Sequence, residues 1–229
     1  VLYELDLRLR PSGNKGPVAT HIDSFRKYQR EDAWTWEHMA LARGRTIAGE
    51  PTLRAEAEAQ VDAVLALPRD RAKVLRDATE MRALIEEEKP PRDAWDIKLV
   101  PGGLLDLEFL AQVAVLCGEV DFPEGRQPDT ADILSHLSPG FCDQQTVDDL
   151  VAAYRLYLGV SQVIRLCLTS HFDRAEAPPG LIDLLVATSE LPDIGVLEAH
   201  LKETARTVRG HFSKLLKPSR AAKRSREGG

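Results

Sequence analysis

Residues 143–169 read DQQTVDDLVAAYRLYLGVSQVIRLCLT, and this stretch decides the fold class. Its apolar and small side chains recur at steps of three and four residues: Val147, Leu150, Tyr154, Tyr157, Ser161, Ile164 and Leu168. That spacing places the side chains on one face of an α-helix. The stretch therefore predicts a long helix whose apolar face packs against a core.

Helical patterns also fill most of the remaining chain. Apolar spacing, together with capping, glycine and proline signals, predicts further helices over residues 21–32, 34–48, 54–67, 70–88, 104–117, 129–137, from 180 to 190, and 194–216. Between 118 and 128 the sequence is rich in Gly, Pro and acidic residues, which is typical of a linker. The predicted fold is therefore mainly α, a helical bundle.

The first ten residues, VLYELDLRLR, follow a different period. Apolar side chains alternate with Glu4, Asp6, Arg8 and Arg10, as in a half-buried β-strand. Turn residues follow at once, and only residues 17–20 offer a short neighbouring strand. Since a single strand has no sheet of its own and the chain begins with Val, we expect the chain to be a fragment.

Composition excludes some classes of protein. The 229 residues carry a net charge of −6, whereas a nucleic-acid binder usually presents a basic face. No apolar run approaches the roughly 18 residues of a membrane span, so we expect neither a nucleic-acid nor a membrane partner. Three cysteines without a CxxC pair suggest no zinc site or disulfide, and we expect them to be core residues in a reducing cytoplasm: Cys117, Cys142 and Cys167.

Asp6 is the strongest candidate for a catalytic or metal-binding residue. A carboxylate fixed on a strand is a suitable Mg²⁺ ligand, and Arg8 and Arg10 on the same face could bind phosphate oxygens. The alternative is a solvated strand face of paired charges. One carboxylate cannot form a two-metal site, so the partners of Asp6 are not in this chain.

The start of the helix at 104–117 offers a second candidate. Gly102 and Gly103 could let backbone N–H groups approach an anion, or they could form a tight turn. Asp106 lies in the first helical turn, where a carboxylate interacts favourably with the helix dipole. Glu108 and Gln112 share one face, and both a role in lining a site and a buried structural network remain open.

The segment Trp34-Thr35-Trp36-Glu37-His38 is also rich in functional groups. Its two tryptophans lie on roughly opposite helix faces, which predicts one in the core and one at an inter-domain seam, with base stacking as the alternative. Glu37 and the nearby Arg43 are explained by ion pairing, or they line a site. His38 has no second metal ligand at helical spacing.

Three separated blocks stand out in the sequence: YELDLRLRPSG at 3–13 followed by GPV at 16–18, FRKYQREDAWTWEHMALAR at 25–43, and DIK at 96–98 with GGLLDLEFL at 102–110 and Gln112. In this order they closely resemble the glutamine synthetase adenylyltransferases. The resemblance is strong over residues 3–49 and 95–113, and weaker but continuous to about residue 216.

The resemblance implies a nucleotidyltransferase that moves AMP from ATP to a tyrosine of glutamine synthetase, and so regulates nitrogen metabolism. It places Asp6 as the third metal-binding aspartate, with Mg²⁺ as cofactor, ATP as substrate and the first two aspartates upstream of Val1. The form of the motifs favours the C-terminal, adenylylating half of this multifunctional enzyme over the adenylyl-removing half. We expect the chain to be inactive alone.

The resemblance, together with the linker at 118–128 and the polar tail after residue 217, predicts a division of the chain. Residues 1–50 would be the remnant of an α/β catalytic domain, 51–118 a helical connection with the first bundle helices, 119–217 a C-terminal helical domain, and 218–229 a disordered basic tail. A different class of function is also open, a docking or regulatory module for glutamine synthetase or the PII signal protein.

Overall fold

The structure is a computed structural model, and it describes residues 10–121 and 129–217. The secondary-structure elements in the described residues are a short 3₁₀ helix, Gly13–Lys15, and the α-helices α1 (Ile22–Glu31), α2 (Thr35–Leu41), α3 (Pro51–Leu65), α4 (Arg71–Glu88), α5 (Leu104–Leu116), α6 (Thr130–Ser135), α7 (Gln144–Cys167), α8 (Pro179–Ser189) and α9 (Ile194–Leu215). In these two ranges the β-type pairing is a single isolated bridge, between Val120 and Leu137. The prediction of a mainly α protein is confirmed.

The predicted remnant of an α/β domain cannot be compared with the structure. Its strand, residues 1–10, lies outside the described residues except for Arg10. Residues 17–20, the one candidate for a neighbouring strand, are irregular. The predicted basic tail at 218–229 also lies outside the described residues.

Aspartate side chains fix the starts of several helices. Asp143 accepts a hydrogen bond from the N–H of Thr146 at 2.9 Å and begins α7, and Asp70 accepts one from Ala72 at 2.9 Å before α4. Such caps satisfy N–H groups that have no partner within the helix. The sequence placed most helices to within three residues because these caps and the proline and glycine stops are local signals.

The helix predicted over residues 34–48 is wrong in length, since α2 ends at Leu41. After α2 the N–H groups of Ala42 and Gly44 donate to carbonyls only three residues back, at 3.2 and 2.8 Å. These tight bonds close the helix end, and the chain then leaves the helical path. Arg43 lies in this turn and contacts α5, so a tertiary contact accompanies the early end of the helix.

Helix α5 lies at the centre of the core. Ten of its thirteen residues are buried, and it packs against α2, α4, α6, α7 and α9. The apolar core extends without a break from Met39 in α2 to Leu216 after α9. It therefore includes side chains on both sides of the predicted linker at 118–128, and the predicted division into domains stays a prediction.

Helix α7 confirms the central prediction, with a shift of its buried face. Val147, Leu150 and Tyr157 are buried as predicted, but Val160 and Val163 take the places expected for Ser161 and Ile164, which are half-buried. Because α7 packs against α5, α6, α8 and α9, its buried face is wider than one stripe. By length and composition alone, α7 is also long and apolar enough to span a membrane. Core helices of soluble proteins meet the same criterion.

Two predictions for single residues are wrong. Trp34 is 70% exposed and Trp36 is half-buried, so neither tryptophan fills the core, and Met39 does so instead. Trp34 is the N-cap residue of α2. Cys167 was expected in the core but is exposed at the end of α7.

Candidate functional site

Two polar assemblies lie on α5, one at its start and one along its side. We call the first the ionic cluster, formed by Arg82, Glu86, Asp106 and Arg209. We call the second the groove, an open cavity between α5 and the helices α1, α2 and α3. The sequence-predicted residues Gly102 and Gly103 belong to the surroundings of the ionic cluster, whereas Arg43, Glu108 and Gln112 line the groove.

Gly102 has an internal hydrogen-bond partner at each of its backbone groups. Its N–H donates to Oδ2 of Asp106 at 2.8 Å, and its carbonyl accepts from the Tyr157 hydroxyl at 3.1 Å. Its φ of +83° and its contact with α9, where an added Cβ would lie 1.8 Å from the Ala205 carbonyl oxygen, both require glycine. The Gly103 N–H donates to the Val100 carbonyl at 2.8 Å.

These contacts show a tight, fully bonded turn before α5. The acceptor for the Gly102 N–H in this structure is a carboxylate of the chain itself, not an external anion. A role of Gly102 and Gly103 in binding the phosphates of a nucleotide stays a prediction.

The ionic cluster is closed to solvent at its centre. Asp106 is 0% exposed and Arg82 is 1% exposed. Nε of Arg82 donates to Oδ1 of Asp106, Nη1 of Arg209 donates to Oδ2 of Asp106 at 3.0 Å, and Nη2 of Arg209 donates to Glu86 at 3.1 Å. Each buried charge is therefore opposed by another at hydrogen-bond distance, which a buried charge requires.

Tyr157 closes the inner side of the ionic cluster. Burial raises the pKa of its hydroxyl, and the nearby charge of Asp106 raises it further. The hydroxyl therefore stays protonated and donates to Gly102. The cluster joins α4, α5, α7 and α9 and functions as a structural element, which extends the structural role that the sequence suggested for Asp106.

The groove has a volume of about 1720 Å³. One wall is the face of α5 that carries Leu105, Glu108, Phe109, Gln112 and Val115. These positions recur at three- and four-residue steps, so they share one side of the helix. The opposite wall comes from α1, the end of α2 and α3, and the start of α6 and Tyr154 of α7 complete the lining.

Arg43 and Glu108 form an ion pair within the groove. Nη1 of Arg43 lies 2.9 Å from Oε1 of Glu108 and 3.4 Å from the hydroxyl of Thr130. The side chains are 36% and 23% exposed, so this pair remains in contact with solvent. Ion pairing therefore accounts for Arg43, and Glu108 is its partner rather than part of a buried network. That either residue lines a functional site stays a prediction.

Gln112 differs from its neighbours in lacking a partner. Its side chain is 7% exposed and lines the groove, yet its amide has no hydrogen bond to any residue that the structure describes. Tyr154 also lines the groove, is half-buried, and has no hydrogen-bond partner for its hydroxyl within the described ranges. The side chain of Gln112 is more than nine-tenths buried and its amide is unpaired in the same ranges, so this residue marks the part of the groove suited to a ligand.

Glu37 and His38 have structural partners instead. Glu37 accepts hydrogen bonds from the Tyr28 hydroxyl at 2.8 Å and from the Trp34 N–H at 2.9 Å. Within the described part of the chain it has no ion pair, so ion pairing explains Arg43 but not Glu37. Burial lowers the pKa of His38, and its ring contacts the Gln29 carbonyl at 2.9 Å and Arg69 at 3.3 Å.

The predicted catalytic residues lie mostly beyond the described ranges. Asp6 and Arg8 are outside them, and Arg10 donates from Nε to the Gly16 carbonyl at 3.3 Å. In residues 10–121 and 129–217 no group of three His, Cys, Asp or Glu side chains could hold a metal ion. The predicted Mg²⁺ site therefore depends on Asp6 and is not tested here.

Sequence reasoning missed the two arginines of the ionic cluster. Arg82 follows Val74 and Ala78 at four-residue steps, so it stands on the apolar face of α4. A charge at such a position signals a buried partner, and this signal was present in the sequence. Arg209 gave no comparable signal, because its partner Asp106 is 103 residues away.

Comparison with known protein families gives two matches, one at the start of the chain and one over most of the remainder. Residues 1–60 match the family model described as glutamate-ammonia ligase adenylyltransferase. Residues 79–216 match the family model described as GlnD PII-uridylyltransferase. The first match includes Asp6, Arg10 and Arg43, and the second includes the whole ionic cluster.

Individual relatives are similar over nearly the whole chain. A protein of Mesorhizobium japonicum is 63% identical over 96% of this chain, one of Brucella suis is 53% identical over 94%, and one of Rhodopseudomonas palustris is 40% identical over 94%. Each is named a bifunctional glutamine synthetase adenylyltransferase/adenylyl-removing enzyme. The chain spans 22% of the length of each of these relatives.

Proposed function

Because this chain belongs to the family of bifunctional glutamine synthetase adenylyltransferase/adenylyl-removing enzymes, we propose that it serves, within the intact enzyme, to transfer AMP from ATP to a tyrosine of glutamine synthetase. The observation that supports this most directly is the 63% identity over 96% of the chain to a protein of that name. The chain matches only 22% of that relative, so we assign the activity to the intact protein in the cytoplasm and not to this chain alone.

In the proposed reaction the tyrosine oxygen attacks the α-phosphorus of ATP. A new P–O bond forms as the tyrosine hydroxyl releases its proton to solvent, the bond between the α-phosphorus and the oxygen bridging to the β-phosphate breaks, and pyrophosphate leaves. Asp6 is the residue that we propose as a ligand of Mg²⁺, which would neutralise charge on the phosphates. Arg8 and Arg10 are proposed to bind phosphate oxygens. Among the described residues no group of three His, Cys, Asp or Glu side chains could hold the metal, so this assignment depends on Asp6.

The intact enzyme tests this proposal directly. We expect that incubation of full-length protein with glutamine synthetase, ATP and Mg²⁺ adds AMP to a tyrosine, detected by mass spectrometry of peptides. Incubation of modified synthetase with phosphate is the second arm, since the adenylyl-removing half would release ADP by phosphorolysis. AMP removal that depends on Asp6, without AMP addition, would assign the chain to the removing half.

The substitution Asp6→Asn tests the residue assignment. We expect AMP transfer by the full-length variant to fall more than about 100-fold, since loss of a metal ligand exceeds the effect of losing its supporting contacts. Glu4→Gln is the matched control, because it removes a carboxylate from the same predicted strand face two residues away. Equal activities of the two variants would contradict a special role for Asp6.

A second proposal is a docking role for the helical part. It is favoured by the match of residues 79–216 to the GlnD PII-uridylyltransferase family, whose name specifies action on PII. Titration of this chain with purified PII protein in a calorimeter measures the interaction. Heat of binding would support docking, and its absence at high protein concentration would leave the catalytic proposal alone.

A further inference from the structure

The inference begins with the unpaired amide of Gln112. This side chain is 7% exposed, lines the groove, and has no hydrogen-bond partner in the described part of the chain. A carboxamide offers a donor and an acceptor side by side. Its natural complement is a flat group with an adjacent donor and acceptor, such as the edge of a nucleobase, which glutamine side chains pair with in a bidentate manner.

The neighbours of Gln112 suit a flat, largely apolar ring. Phe109 and Val115 lie one turn before and after it on the same face of α5, and Tyr154 of α7 also lines the groove. Aromatic and aliphatic side chains provide contact for the faces of a base, while the amide reads its edge. Small-molecule sites commonly have this composition, an apolar lining with a few placed polar groups.

The charge of the groove indicates which end of a nucleotide it suits. Among the described residues of the lining, the carboxylates outnumber the guanidinium groups by four to two: Glu58, Asp62, Glu108 and Asp129 against Arg43 and Arg45. Such a lining repels phosphates and is compatible with an uncharged ring. The polyphosphate chain is therefore expected to leave the groove, while the base stays inside.

We propose that the groove is the base-binding subsite of this enzyme and that Gln112 of α5 recognises the hydrogen-bonding edge of adenine. This rests on the proposed function, in which ATP is the nucleotide. Gln112 is then a specificity-determining residue, with the amide paired to the 6-amino group and an adjacent ring nitrogen. The volume of about 1720 Å³ is more than sufficient for a nucleoside.

A double comparison of protein and ligand tests the pairing. Binding of ATP and of purine riboside triphosphate, which lacks the 6-amino group, is measured by equilibrium dialysis with the full-length protein and its Gln112→Leu variant. We expect the unmodified protein to bind the analogue about 5- to 100-fold more weakly than ATP. The variant should bind ATP as weakly as the unmodified protein binds the analogue, and should no longer distinguish the two nucleotides.

Controls separate recognition from folding. Gln162→Leu removes an exposed glutamine of α7 outside the groove and should retain the preference for ATP. The unfolding temperature of Gln112→Leu should be unchanged or raised, because leucine replaces an unpaired polar group of similar size. A stable variant with an unaltered ATP preference would overturn the inference, and so would failure of the unmodified protein to bind ATP.

The outcomes also separate this inference from the proposed function. A preference for ATP that depends on Gln112, without AMP on tyrosine, would support the subsite and contradict the transfer reaction. AMP transfer with full retention of ATP preference in Gln112→Leu would support the reaction and contradict the subsite.

Discussion

Helix α5 carries two polar assemblies that differ in how completely the α5 side chain itself is paired. At its start, Asp106 is fully buried and bound by two arginines and the Gly102 N–H. Two turns later on another face, Gln112 is almost as buried and has no partner in the described residues. The same helix thus holds one polar group that is saturated by the fold and one that is not.

This difference in pairing distinguishes a residue that stabilises the fold from a residue that is available to bind a ligand. A saturated carboxylate has no oxygen left for a ligand, and removing it leaves buried charges behind. An unpaired amide contributes nothing to the folded state but keeps its donor and acceptor available. Substitutions in the ionic cluster should therefore change the free energy of unfolding, whereas substitutions in the groove should change binding.

The largest effect is expected for Asp106→Asn. The variant leaves Arg82, which is 1% exposed, with the partly exposed Glu86 as its only opposite charge among the described residues. Loss of one partner from a buried ion pair costs about 3–5 kcal/mol, so the urea midpoint should fall sharply. Glu108→Gln is the control on the same helix, and its solvent-exposed pair with Arg43 should contribute less than about 1 kcal/mol.

Similar losses for Asp106→Asn and Glu108→Gln would remove the distinction between the two assemblies. A loss below about 1 kcal/mol for Asp106→Asn would show that Glu86 is sufficient to neutralise Arg82.

A smaller effect is expected for Gly102→Ala. The backbone at φ +83° disfavours any residue with a Cβ by about 1–2 kcal/mol, and the added carbon would overlap the Ala205 carbonyl, a clash of about 1–3 kcal/mol. Thermal unfolding measures the loss. Gly118→Ala is matched in backbone conformation, with φ +67°, but has open space around its Cβ.

Gly118→Ala should therefore show the conformational cost alone. If the two alanine variants unfold at the same temperature, the contact between Gly102 and α9 has no energetic weight.

The smallest effect is expected for Tyr157→Phe. It removes the hydroxyl that donates to the Gly102 carbonyl at 3.1 Å, which should cost about 1 kcal/mol. Tyr154→Phe, three residues earlier on α7, removes a hydroxyl with no partner in the described residues and should leave the unfolding free energy unchanged. A larger loss for Tyr154→Phe than for Tyr157→Phe would reverse the assignment of the two hydroxyls.

The parts of the fold that could be predicted from the sequence are those specified by signals within a few residues. The caps Asp143 and Asp70 and the period of α7 lie within a few residues of the structure they specify. The helix over 34–48 was predicted too long because its end coincides with a contact between Arg43 and α5, distant in sequence. The expectation that one of the two tryptophans fills the core was also wrong, since Trp34 is exposed and Trp36 is half-buried.

The site was less predictable than the fold. The sequence named Glu108, Gln112 and Arg43 as residues that pair or line a site, and the structure brings all three to the groove. The sequence did not show that Gln112 is the one without a hydrogen-bond partner, because the pairing of these side chains depends on residues of α6 and α7 as well as α5. Asp106 was placed correctly in the first turn of α5, but its second arginine comes from the far end of the chain.

The separation of the two arginines from Asp106 also sets an order during synthesis on the ribosome. Arg82 precedes Asp106 by 24 residues and emerges with it, whereas Arg209 follows by 103 residues. A nascent chain that has produced α4 and α5 therefore holds Asp106 with one arginine and no neighbour from α9. The last helix completes the assembly, so the ionic cluster cannot form in full until α9 has been synthesised.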